Sequence, residues 1–139
     1  MASPDLMAMA DWELLIKDLA AADLDQQGDA VRVSIRGRGL HAVLLRARGA
    51  GTLARGRVYV LTLDVCAVPA RTVEVALCEA RARFAATPRW SARTVHFRLP
   101  PGKPAAAFHL EFALGAGPGT FEFDNLSLTG PTRESSPTP

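Results

Sequence analysis

The chain has 139 residues, 48% of them hydrophobic, and a formal net charge of +2. That length builds one domain whose core needs no disulfide staples, and the charge is too small to point to nucleic acid. No apolar run is long enough to cross a membrane, since the longest, Val58 to Val68, is broken by Thr62 and Asp64.

Residues 1–10 read as an N-terminal extension carrying no secretory signal, with Ser3-Pro4-Asp5 resembling a helix start. Trp12 to Ile16 reads as a strand, followed by a loop or short helix through Gln27. From Gly28 onward the pattern is all β. Val31, Val33 and Ile35 alternate with Arg32, Ser34 and Arg36, and Gly37 and Gly39 punctuate before a second run, Leu40 to Arg48. Arg57 to Ala67 sets Tyr59, Leu61, Leu63 and Val65 against Val60, Thr62, Asp64 and Cys66. After Pro69, Thr72 to Ala80 alternates Val73, Val75 and Leu77 with Glu74, Ala76 and Cys78.

Arg81 to Pro88 reads as a polar loop holding Phe84, and Trp90 opens the next strand, with Val95, Phe97 and Leu99 on one face. Trp12 and Trp90, at strand starts, read as core or rim. In Ala107 to Leu114, Phe108, Leu110, Phe112 and Leu114 point inward and His109, Glu111 and Ala113 outward. The closing segment, Gly119 to Leu128, keeps period two but steps at Asp124-Asn125, the mark of a bulge. Thr129 to Pro139 lacks core-forming residues and reads as a linker or disordered tail. Short strands with regular turn signals predict an all-β, two-sheet antiparallel β-sandwich over residues 11–128. The expected core includes Val31, Val33, Tyr59, Leu61, Leu63, Val75, Leu77, Val95, Phe97, Leu110, Phe112, Phe121 and Leu126.

Arg outnumbers Lys 14 to 2, and Arg32, Arg36, Arg38, Arg46 and Arg48 crowd together. A single-stranded nucleic-acid groove interleaves such charges with aromatics, and none lies between Trp12 and Tyr59. These arginines read as solvated strand edges. Cys66 and Cys78 flank Val68-Pro69-Ala70-Arg71, where a hairpin would hold them roughly 13 Å apart along the strands. A disulfide needs Cα atoms within about 7 Å, so both thiols are expected free.

The order of motifs carries more than any one of them. Trp12-Glu13-Leu14, Gly28-Asp29-Ala30-Val31-Arg32-Val33, Leu53-Ala54-Arg55-Gly56-Arg57-Val58-Tyr59, Phe112-Ala113-Leu114-Gly115 and Phe123-Asp124-Asn125-Leu126 follow one another in a sequence that resembles family 4/9 carbohydrate-binding modules. The resemblance implies a jelly roll with no catalysis, binding a polysaccharide or oligosaccharide in a concave groove as an accessory module tethered to a catalytic domain. It places aromatic platforms at the stretches holding His41 and Phe84, and polar groups at Thr62, Asp64, Cys66, Glu74, Cys78, His109 and Glu111. It also implies a structural calcium at Asp124, although the family's N-terminal Phe-Glu partner has no counterpart before Trp12. The alternative is a protein-interaction or assembly sandwich that has lost the sugar site. No Ser-His-Asp order, His-Glu-x-x-His or phosphate loop is evident.

Overall fold

The computed structural model describes residues 11–15, 22–28, 30–36, 43–49, 52–104, 108–115 and 117–132. Among these the secondary structure is entirely β: β1 (Asp11–Leu15), β2 (Ala22–Gln27), β3 (Ala30–Ile35), β4 (Val43–Arg48), β5 (Val58–Val68), β6 (Arg71–Leu77), β7 (Ala80–Ala86), β8 (Ser91–Arg98), β9 (His109–Gly115) and β10 (Gly119–Thr132). They form two five-stranded sheets, the first in the order β1-β4-β9-β6-β7 and the second in the order β2-β3-β10-β5-β8. Every pairing is antiparallel. The architecture is a jelly-roll β-sandwich.

Period-two alternation gives each sheet one apolar face, and the two faces meet. The first sheet contributes Val43, Leu45, Val73, Val75, Leu77, Leu110, Phe112 and Leu114, the second Val31, Val33, Tyr59, Leu61, Leu63, Val95, Phe97, Phe121, Phe123 and Leu128, all buried. An aromatic cluster joins the layers. The Phe112 ring lies 5.1 Å from Phe123 and 6.4 Å from Phe84, and Trp12 stacks on Phe112 and Phe123 at 6.2 and 6.3 Å. Offset and edge-on rings at these separations add to the stability gained from area burial alone.

The expected bulge is present: the β10–β5 register shifts between Asp124 and Ser127, and Asn125 takes a φ of 52°. Asparagine tolerates that left-handed conformation better than most residues. The shift leaves Leu126 only half-buried and turns Leu128 fully inward, so Leu126 is not the core residue its alternation suggested. Further along β10, Gly130 lies against Tyr59, whose hydroxyl accepts the Ala54 backbone N–H at 2.8 Å.

Other expectations need correction. The stretch expected as a polar loop is β7, whose Arg81 and Arg83 point outward while Ala82, Phe84 and Ala86 face the core. The segment before Gly28 contains β2 rather than a helix. β5 and β6 are not a hairpin, because the chain changes sheet between them. Both cysteines are free, but they stand on opposite layers instead of along one hairpin. Finally, pairing of Thr129 with Val60 and Thr132 with Val58 carries β10 past the expected end of the domain at Leu128.

Candidate functional site

The outer face of the first sheet is a ladder of ion pairs. Arg46 on β4 stands between Glu13 on β1 and Glu111 on β9, with N···O distances of 2.8 and 3.9 Å. Glu74 on β6 meets Arg81 and Arg83 of β7 at 3.3 and 3.6 Å. His109 and Glu111 border a depression of about 250 Å³ with Ala76, Cys78 and Phe108. Phe108 is buried, so no exposed aromatic ring among the described residues flanks these charges.

The outer face of the second sheet is built differently. Asp64 on β5 lies directly opposite Asp124 on β10, and Ala92 of β8 flanks Asp64 on its other side. Trp90, in the turn just before β8, is 50% exposed, the only exposed aromatic side chain among the described residues. With Ser91, these residues line an open depression of about 380 Å³. The bulge supplies its polar detail: the Asn125 amide Nδ2 donates to Asp64 Oδ2 at 2.7 Å, and the Asn125 backbone N–H donates to Asp124 Oδ1 at 2.8 Å. Neither aspartate has a basic partner among the described residues. A smaller hollow lies alongside, between Asp25, Gln27, Ala30, Arg32 and Glu122, where Arg32 pairs with Glu122 at 3.3 Å.

The residues expected in a single groove are therefore divided. Asp64 belongs to the second sheet's outer face, whereas Glu74, His109 and Glu111 belong to the first sheet's, on the far side of the sandwich. Phe84 is 7% exposed and packs edge-on against Phe112, so it cannot serve as a sugar platform. Its strand alternates alanine with arginine, and that composition masks the period that turns Phe84 inward. His41 lies outside the described residues. The aromatic that does reach the surface is Trp90. The signal available was its position after Pro88-Arg89, where a chain not yet in strand register lets a large ring turn outward.

Among the described residues, the carboxylate standing opposite Asp124, where calcium was expected, is Asp64. Calcium takes about six to eight oxygens, and among the described residues no group of three acidic, histidine or cysteine side chains converges on one point. Asp64 and Asp124 alone do not make that cage. The free thiols are no better suited to a metal. Burial and the neighbouring Glu122 carboxylate push Cys66 up to about 11, keeping it a thiol, and burial raises Cys78 too.

No protein-family model matches the sequence, and no curated protein does. Solved structures do match. The N-terminal cellulose-binding domain of Cellulomonas fimi β-1,4-glucanase C aligns over 88% of this chain and 90% of its own, with a TM-score of 0.66 and 19% identity. The CBM22-1 xylan-binding domain of Paenibacillus barcinonensis Xyn10C aligns over 96% and 98%, with a TM-score of 0.60 and 9% identity. A structure described as a family 4 carbohydrate-binding module aligns over 90% and 96%, with a TM-score of 0.65 and 15% identity. The fold is that of the jelly-roll carbohydrate-binding modules. The family 4 type, to which the motif order pointed, is among those it resembles.

Proposed function

We propose that this protein is a non-catalytic carbohydrate-binding module that seats a saccharide on the Trp90 ring, with Asp64, Ser91 and Asp124 taking its hydroxyls. The observation that carries this reading is the half-exposed indole at the edge of the 380 Å³ depression. A pyranose presents C–H bonds on one face and hydroxyls around its rim, so it needs an apolar platform with hydrogen-bonding groups beside it. Carboxylates accept hydroxyl hydrogen bonds more strongly than neutral groups do. Ser91, whose hydroxyl donates to the Arg89 carbonyl at 3.3 Å, supplies an acceptor. Cellulose- and xylan-binding domains among the structural neighbours support the same ligand class.

The reading uses neither Glu74 nor Glu111, whose carboxylates are already paired with arginine, and it does not use His109 on that face. One platform makes small apolar contact, and sugar hydrogen bonds largely replace those with water. Affinity is therefore weak, with a dissociation constant above about 1 μM. An accessory role agrees with a neighbour in which the matching fold is a minor part of an enzyme: a GH51 α-L-arabinofuranosidase, of which the alignment covers 23%.

Affinity gels containing cellulose, xylan or mixed-linkage β-glucan test the proposal. Retardation by at least one glycan, lost in Trp90→Ala and kept in Glu74→Gln, is the expected result. Retardation that survives Trp90→Ala moves the site elsewhere. Absence of binding to every glycan, together with a pull-down partner that depends on the same face, favours the protein-interaction alternative.

A further inference from the structure

The Trp90 depression carries a charge pattern that a neutral sugar does not require. Asp64 and Asp124 face each other across the β5–β10 ladder, a placement in which like charges repel. The residues lining the depression are Asp64, Trp90, Ser91, Ala92 and Asp124, and none is basic. The hydrogen bonds received by the pair come from Asn125, one from its neutral side-chain amide and one from its backbone, so neither brings a compensating charge. Of the other acids on this outer face, Glu122 pairs with Arg32 and Asp23 with Arg36, whereas Asp25 stands apart from the Trp90 depression. Two uncompensated carboxylates beside an indole face present what a cation seeks: opposite charge within hydrogen-bond reach and the negative face of an aromatic ring.

From this juxtaposition we infer that the depression selects a saccharide unit bearing a protonated amine, an amino sugar of the glucosamine type. The inference rests on the saccharide reading above and names its ligand class. The ring's C–H face lies on Trp90, while the ammonium sits between the two carboxylates and relieves their repulsion. N-acetylation weakens recognition at this point, because it removes the charge and adds an acyl group beside the carboxylates. General attraction between opposite charges does not account for such binding. The whole chain is positive at +2, so a polycationic glycan is repelled overall and must find a local acidic site.

Titration calorimetry with glucosamine oligomers, their N-acetylated counterparts and cello-oligomers of equal length tests this. At low salt the glucosamine oligomer binds about tenfold more tightly than either neutral oligomer, as two partly solvated charge contacts allow. The preference disappears in Asp64→Asn/Asp124→Asn, whose near-isosteric replacements keep the fold, checked by an unchanged or higher melting temperature. Equal affinity for charged and neutral oligomers, both lost in Trp90→Ala, overturns the amine selectivity and leaves the saccharide reading standing. Absence of Trp90-dependent binding to any oligomer defeats both. A preference that survives the double substitution overturns the assignment to this pair. Equal competition by a lysine oligomer of the same charge shows a general cation site and overturns the sugar class.

Discussion

Cys66 on β5 stands directly opposite Glu122 on β10, and its Sγ donates to Glu122 Oε2 across 3.5 Å. The thiol is on the outward parity of its strand yet buried. Burial first, then the Glu122 hydrogen bond and charge, raise its pKa from 9.0 to about 11, while Arg32 works in the opposite direction. Glu122→Gln removes the carboxylate's contribution and moves the pKa back toward 9. The pH dependence of alkylation by iodoacetamide, followed by mass spectrometry, measures the shift; an unchanged profile shows that burial alone sets it. The stability consequence follows in sign. The unfolded thiol ionises near 9 and the folded one near 11, so ionisation favours the unfolded chain across that window. Stability attributable to this group is intact below pH 9 and falls as pH rises through 11.

Phe84 and Phe112 are expected to behave as core residues in every assay. Phe112→Ala opens a cavity where four aromatic rings meet and costs ~3–5 kcal/mol. Phe84→Ala, nearer the sandwich edge, falls at the lower end of that range. Urea titrations measure both. A loss below about 1 kcal/mol for Phe112 contradicts its place in the packing.

Tyr59 and Gly130 form a local lock. A Cβ at Gly130 would lie 2.7 Å from Tyr59 Cδ1 and 3.0 Å from the Val58 carbonyl oxygen, at a φ of 144° that side chains rarely adopt. Gly130→Ala is expected to destabilise by ~1–3 kcal/mol through overpacking and backbone strain. Tyr59→Phe leaves the Ala54 N–H without its acceptor and costs ~1–2 kcal/mol. Tyr59→Phe keeps the ring that meets Gly130 and loses only the hydroxyl, so the two losses are expected to be nearly additive, which a double-mutant cycle reads directly.

Asp64→Asn is expected to stabilise the ligand-free protein by a few tenths of a kcal/mol, since it ends a like-charge pairing across two strands. The melting temperature rises modestly at low ionic strength, and the gain shrinks as salt screens the repulsion. A fall in melting temperature shows that the Asn125 hydrogen bond to Asp64 outweighs the repulsion.

The fold was legible wherever side chains alternated in size and polarity. Val31–Ile35, Tyr59–Val65 and Phe108–Leu114 announce their inward faces, and the Asp124-Asn125 step announces the bulge. β7 escaped notice because alanine marks an inward position too faintly beside exposed arginines, which hid the burial of Phe84 as well. β2 escaped because its inward residues are only Ala22 and Leu24 among acids and glutamines. The site was less legible than the fold. Strand parity tells which residues point outward but not from which layer, so Asp64 and Glu111 looked like neighbours. The change of sheet between β5 and β6 is a long-range fact with no local signal beyond Pro69.

Among the described residues, the middle strands of the two sheets, β9 and β10, are the last two strands in chain order. Without them the first sheet reduces to the pairs β1-β4 and β6-β7, and the second to β2-β3 and β5-β8. Isolated two-stranded ribbons of this kind are marginal in water. During synthesis, neither layer can close until this final stretch has left the ribosome, and the loops then joined span most of the molecule. Such long-range pairing is expected to slow folding, and the waiting ribbons expose unpaired edges until it is complete.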